Sequence, residues 1–192
     1  SRSVPVSKAE GAFIIHNDLP WALETRRNHF GFGPITSASH LFVRNNLPAP
    51  PASLTDQGDD WSFDVVGCAR EGSLTLADLK RMKSRTVATV LQCSGNGRDF
   101  FPHDPSGSQW SVGAAGCVLW TGVSVADIFA QFGGVRSGLA YLTATGGEEL
   151  PEGIDKDAVV VERSVPIDKG LKDCLLVWEM NGVPLPGIHG GP

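Results

Sequence analysis

The chain has 192 residues, 41% of them hydrophobic and 19% charged, with a formal net charge of −5. Those proportions exclude a disordered chain, and apolar runs no longer than residues 114–120 exclude a membrane-spanning helix. An acidic balance without a basic block leaves nucleic-acid binding unsupported.

Residues 1–40 alternate short apolar pieces with His16, Pro20, His29, Gly31, Gly33 and Pro34, the composition of an irregular arm. Arg26-Arg27 has the form of a twin-arginine pair, but no apolar stretch follows it, so it is not read as a signal. Leu41-Phe-Val-Arg-Asn-Asn-Leu47 reads as a short strand running into a proline-rich connection over 47–52 and a polar loop over 55–60. Arg44 stands inside that apolar stretch, where a guanidinium needs an acidic partner or a bound anion. Residues 61–66 alternate as a strand does. Thr75-Leu-Ala-Asp78 has the form of a capping box with Asp for Glu, and opens a short helix reaching about Met82.

Residues 85–91 predict a β-branched strand that ends at Cys93-Ser-Gly-Asn-Gly-Arg98. Ser94, Gly95 and Gly97 leave room around the sulfur, and a strand mouth followed by a turn and a cation at Arg98 suits a thiolate. A cysteine in such a place is equally a small buried hydrophobe. The other cysteines, at 68, 117 and 174, show no CxxC spacing, against a zinc ribbon or a thioredoxin-type site. His103 follows Cys93 on a loop, so a Cys–His pair of hydrolase type is one alternative.

Further on, residues 114–120 predict a strand turned at Trp120-Thr-Gly122. Ser124-Val-Ala-Asp127 then caps a helix that stops at Gly133-Gly134. Strands follow at 139–145, 158–161 and 174–178, with an acidic loop at 146–157. Asn181-Gly182 predicts a hairpin turn. The chain closes with His189-Gly190-Gly191 after a proline-rich approach. The fold class read from these elements is α+β, a mixed sheet domain over residues 41–192 with a few short helices.

Three stretches in order, Leu41-Phe-Val-Arg-Asn-Asn-Leu-Pro48, Leu91-Gln-Cys-Ser-Gly-Asn96 and Trp178-Glu-Met-Asn-Gly-Val-Pro-Leu-Pro186 with His189-Gly190, resemble the molybdenum domain of the sulfite oxidase family. Trp110-Ser-Val-Gly-Ala-Ala115 and Leu119-Trp-Thr-Gly122 are similar to its spacer segments. The resemblance covers roughly residues 40–192 and is nearest in pattern to bacterial sulfite dehydrogenases. It implies a sulfite-oxidase-type molybdopterin-binding fold with molybdenum and a pyranopterin dithiolene as cofactors. Cys93 matches the protein thiolate ligand of the metal, as a soft donor suits a sulfur-rich shell. Phe42, Val43, Arg44, Asn45 and Asn46 match the cofactor-contacting strand, Ser94 the turn beside the pterin, and His189 the residue at the pterin phosphate. Gly190 and Gly191 are expected to offer backbone amides to that phosphate.

The same resemblance implies the chemistry. Arg44 matches the substrate-pocket arginine, whose fork fits a small oxyanion. The implied reaction is oxidation of sulfite to sulfate by oxygen-atom transfer, with electrons passed to a c-type cytochrome in the periplasm. Asn46 stands where many animal-type members carry a histidine. The acidic residue that contacts the pterin matches Glu148, Glu149 or Asp155. The family continues past the His189-Gly190 motif with an arginine-containing strand, a pocket tyrosine and a dimerisation domain. A homodimer is therefore expected through a segment beyond Pro192. The competing readings are a nitrate reductase or sulfur-compound dehydrogenase subunit of the same fold, a non-catalytic binding domain of that fold, and a cofactor-free hydrolase using Cys93 and His103.

Overall fold

Short apolar-rich runs, Phe13-Ile-Ile15 and Trp21-Ala-Leu23, stand on either side of Leu19-Pro20, and the chain folds back on itself there. β1 (Phe13–Asp18) and β2 (Trp21–Thr25) form an antiparallel hairpin, with a register shift between Ile15 and Asn17. β3 (Val43–Arg44) adds to β2 with Leu23 opposite Val43 and Ala22 opposite Arg44. Ala12, Phe13, Leu23 and Val43 are buried together, with Val4, Ile15, Trp21 and Ile188 packed around them. The expectation of an irregular arm over residues 1–40 is corrected here. Strands this short are marginal alone and form because a third strand and a shared apolar cluster support them. The computed structural model describes residues 4–31, 33–48, 50–146, 152–153 and 162–191. The strand expected at 158–161, and Glu148, Glu149 and Asp155, lie outside them.

After a four-residue helix, α1 (Ala52–Thr55), comes the hairpin of β4 (Ser62–Val65) and β5 (Gly72–Thr75), paired antiparallel. Thr75 then caps α2 (Leu76–Arg81) as its sequence requires. Its hydroxyl accepts from the Asp78 N–H at 3.1 Å, and the Asp78 carboxylate accepts from the Thr75 N–H at 2.8 Å. The next sheet holds β6 (Ser84–Gln92), β7 (Ala115–Ser124), β10 (Leu175–Met180) and β11 (Val183–Pro184) in the order β11-β10-β7-β6.

β7 runs through Trp120-Thr-Gly122 to Ser124, where a turn was expected. Gly122 is there for close backbone approach: a Cβ on it would lie 2.1 Å from the Leu176 carbonyl oxygen. Ser124 does sit at the N-cap of α3 (Val125–Gln131), yet its side chain makes no capping bond. The Val125 N–H donates instead to the Cys174 carbonyl at 3.1 Å, which satisfies one of the helix's orphan donors from the backbone. Gly133 and Gly134 end that helix region with φ of 82° and 85°. β8 (Tyr141–Thr145) pairs with β9 (Glu162–Pro166), and α4 (Ile167–Asp173) follows. The sequence signals no helix at 167–173. Gly170 is tolerated in α4 because it faces Leu142 so closely that a Cβ would lie 2.6 Å from Leu142 Cδ2.

The chain divides into two compact units. One comprises residues 1–49, 87–120 and 179–191; the other comprises 50–86 and 121–178. The second has its own core of Val65, Cys68, Leu76, Leu79, Val123, Ile128 and Trp178. Short helices on a sheet-dominated frame make this an α+β fold, as expected. Arg44, Cys93 and His189 all belong to the first unit.

Candidate functional site

Cys93 follows the end of β6, half-buried, at the start of a turn that has no regular sheet partner. The turn is held by a second segment, Trp110 to Ala114, through four hydrogen bonds. The Cys93 N–H donates to the Ala114 carbonyl at 2.9 Å, Gly97 to Ser111 at 2.6 Å and Asp99 to Trp110 at 3.0 Å. In return the Ala114 N–H donates to Asn96 Oδ1 at 3.0 Å. Gly97 takes φ of 90°, a conformation that L side chains disfavour, which lets the turn bring these amides round to one partner. Arg98 differs from expectation. Its guanidinium donates to the Ser108 carbonyl at 2.9 Å and lies over Gly95 and Gly107, where any Cβ would collide with it.

The holding segment is itself held from behind. Glu24 is 1% exposed, and its carboxylate accepts the Gly113 N–H at 2.9 Å and the Ser111 N–H at 3.1 Å. His16 Nε2 lies 2.7 Å from Glu24 Oε2. Burial alone would raise this carboxyl group; the bonds from His16, Gly113 and Ser111 outweigh it and hold the group below the usual range. Trp110 is fully buried, edge-on to both His16 and Phe42.

Arg44 is exposed at the end of β3, and its Nη1 donates to the Asn45 carbonyl at 2.5 Å. Among the described residues no carboxylate pairs with it, so the structural ion pair that would explain an arginine in this stretch is not made there. Asn46 and Ser94 are exposed and Asn45 half-buried. Phe42 and Val43 turn their side chains into the core, which leaves only their backbone for a ligand.

His189 closes a 3-10 turn (Gly187–His189), and its Nε2 lies 2.7 Å from Lys8 Nζ. Lys8 is 6% exposed and also donates to the carbonyls of Ala38 (2.6 Å) and Leu41 (2.9 Å). Burial lowers the Lys8 ammonium to about 7. Burial, and then the Lys8 charge, lower His189 to about 4. The glycines that follow do not offer their amides as expected. Gly190 donates to the Gly187 carbonyl and Gly191 to Pro186, closing the turn internally. Gly191 is required for space instead: a Cβ there would lie 1.8 Å from the Leu185 carbonyl oxygen.

Asn181 does more than shape a hairpin. With φ of 57° it turns β10 into β11, while its side chain accepts from Leu119 N–H at 2.9 Å and donates to the Thr36 carbonyl at 2.9 Å. The segment leading to His189 is thereby tied to β7 and to the N-terminal region. His103 is exposed beside the Phe101 ring, and no described hydrogen bond joins it to Cys93. Glu24, His16 and Lys8 escape sequence reading because no periodicity or motif surrounds them. The signal available was a buried-type environment for charged residues, which only the fold reveals.

Among the described residues no cluster of three or more His, Cys, Asp and Glu is set to hold a metal. One cysteine sulfur at an open turn, a guanidinium and a histidine fit a metal whose other ligands arrive with an organic cofactor. The family comparison agrees. Residues 48–192 match the oxidoreductase molybdopterin-binding domain, and the chain belongs to that family. Its cofactor is molybdenum with a pyranopterin.

Mitochondrial sulfite oxidase of Rattus norvegicus is 32% identical over 190 residues, covering 94% of this chain and 33% of the relative. The human enzyme is 32% identical over 167 residues, covering 82% of this chain and 29% of the relative. A nitrate reductase of Neurospora crassa is 28% identical over 182 residues, covering 85% of this chain and 18% of the relative. The chain thus spans about a third or less of these relatives. In fold it is similar to the sulfane dehydrogenase SoxCD of Paracoccus pantotrophus, with a TM-score of 0.71 at 21% identity over 98% of this chain and 46% of that one. No helix among the described residues is long and apolar enough to cross a membrane.

Proposed function

We propose that this molybdopterin oxidoreductase oxidises sulfite to sulfate and passes the electrons to a c-type cytochrome, in the periplasm. The observation that supports it most is a guanidinium at Arg44, without an acidic partner among the described residues, in the same compact unit as Cys93 and His189. The sulfite oxidase relatives support the substrate. When bound, the cofactor supplies oxygen-atom transfer and stores two electrons. Cys93 would hold the metal through its thiolate, and His189 would hold the pterin's phosphate end. Arg44 would bind and orient the oxyanion through two parallel N–H bonds. Its backbone is fixed against Ala22, so the guanidinium starts from a rigid strand.

Three variants of the protein test this. Arg44→Met is expected to raise KM for sulfite at least about tenfold, and Arg44→Lys only about threefold, since a charged hydrogen bond is lost in one and weakened in the other. Equal KM values would remove Arg44 from the pocket. Cys93→Ser is expected to lose bound molybdenum and activity while the far-ultraviolet circular dichroism is unchanged. A variant that keeps its molybdenum would overturn the ligand role.

A second reading, reduction of nitrate, is favoured by the nitrate reductase relatives and by the indifference of an arginine fork to which small oxyanion it holds. Parallel sulfite-oxidation and nitrate-reduction assays decide between them, and export of the protein is checked by fractionating the source cells.

A further inference from the structure

Glu24 lies in a stretch without any recognisable motif, yet its surroundings are specific. Its carboxylate is buried with three partners: Ser111 N–H, Gly113 N–H and His16 Nε2. Two of those donors belong to the segment from Trp110 to Ala114, whose other face holds the Cys93 turn. The backbone polar groups of that segment can be followed one by one. The carbonyls of Trp110, Ser111 and Ala114 accept from Asp99, Gly97 and Cys93. The Gly113 carbonyl accepts from Thr25 N–H at 3.2 Å, and the Ala114 N–H goes to Asn96. Val112 N–H is satisfied by the neighbouring Ser111 hydroxyl at 2.6 Å. The Trp110 N–H donates to the Ser108 carbonyl at 3.0 Å, so the Ser111 and Gly113 donors remain, and Glu24 takes both. Without the carboxylate one buried donor and one half-buried donor would lack their acceptor, which a structure avoids by moving the backbone that carries them.

Sterics point the same way. Gly113 passes so close to β2 that a Cβ on it would lie 1.9 Å from the Thr25 carbonyl oxygen and 2.6 Å from Glu24 Cγ. The glycine exists in this segment to let the backbone reach the carboxylate. His16 holds the other side of Glu24 and packs its ring edge-on to Trp110, 4.9 Å between centroids. The segment is thus clamped between a buried anion and the turn.

We infer that Glu24 is the positioning residue for Cys93, acting through the Ser111–Gly113 backbone and oriented by His16. Its consequence for catalysis rests on the reading of Cys93 as the metal's thiolate ligand, but the positioning itself is read without the metal. The test is amide hydrogen exchange on the protein and its variants. Glu24→Ala is expected to speed exchange at Cys93, Gly97 and Asp99 at least about tenfold, as lost charge-assisted bonds release the segment they share. The Arg26 N–H, bonded to the Ala12 carbonyl beside the same hairpin, and the capped Thr75 and Asp78 amides of the other unit are expected to stay within about threefold.

Glu24→Gln keeps one oxygen for both backbone donors and an amide for His16, so it is expected to restore protection to within about threefold of wild type. Uniform loss across the hairpin and the turn in Glu24→Ala would reduce Glu24 to a general stabiliser. Unchanged exchange at Cys93 would sever the link outright. Should Glu24→Ala not fold, exchange of the wild-type protein in low urea gives the same decision. Ser111, Gly113, Cys93, Gly97 and Asp99 are expected to open on one isotherm, and separate isotherms overturn the coupling. None of these outcomes depends on molybdenum content, so failure here is distinct from failure of the Cys93→Ser test.

Discussion

Two buried ionisable groups in the same unit each sit 2.7 Å from a histidine, and they behave oppositely. Glu24 is surrounded by donors, which require the anion; neutralising it would leave a proton facing N–H groups. Lys8 is surrounded by two carbonyls and a ring nitrogen, which an uncharged amine can also satisfy. Burial costs both groups their hydration, but only Glu24 has partners that restore the charged form. The difference teaches what each can do. Glu24 is a permanent anchor for the Cys93 turn, and Lys8–His189 is a pair whose charge state changes near neutrality.

The largest expected effect comes from removing the close approach at the Glu24 end. Gly113→Ala forces a Cβ into the Thr25 carbonyl, and a cost of about 3 kcal/mol is expected from the backbone shift it demands. Urea unfolding measures it; a loss below about 1 kcal/mol would show that the segment is free to move, and would weaken the contrast.

Next in size, taken per pH unit, is the pH response at the Lys8 end. Lys8 is lowered from 10.5 to about 7, so the unfolded chain holds the extra proton between those values and stability rises with pH there. His189, lowered from 6.5 to about 4, adds a second rise between about 4 and 6.5. Lys8→Met should flatten the upper rise, by up to about 1.4 kcal/mol per pH unit. Unfolding midpoints measured for both proteins from pH 5 to 10 check this. A wild type and variant that stay parallel would mean that Lys8 is charged and satisfied, like Glu24.

The smallest effect sharpens the role of His16. His16→Phe keeps a ring against Trp110 and removes one donor from Glu24, at an expected cost of about 1 kcal/mol. Glu24 contributes stability that is complete above about pH 4.5 and is lost as pH falls through its lowered value. With His16 gone the folded value should lie closer to the unfolded one, so that contribution is smaller and is used up at a higher pH, read as a raised acid-unfolding midpoint. An unmoved midpoint would leave Ser111 and Gly113 as sufficient partners.

What was legible in the chain was local. The Thr75–Asp78 capping box forms because both its bonds span three residues. The Asn181-Gly182 turn forms because its left-handed φ values select those residue types. The Cys93 turn announced itself by small residues after an apolar strand. Local preference is not decisive where distant backbone overrides it. Gly122 reads as a turn but serves the approach of Leu176, and Ser124 reads as a cap but leaves that bond to Cys174. Gly190 and Gly191 read as amide donors, yet the 3-10 turn uses both amides.

By itself, then, the sequence determined the α+β class, the family, and the residue types at 44, 93 and 189 that suit a molybdenum–pyranopterin cofactor. Tertiary structure alone decided that residues 13–25 form a hairpin, and that Glu24 stands behind the segment that holds Cys93. It alone decided that Lys8 lies against His189, 181 positions away. The reason is physical. A turn or cap is chosen by dihedral preferences within a few residues, whereas a buried charge is tolerated only where separate stretches of chain converge to hydrogen-bond it.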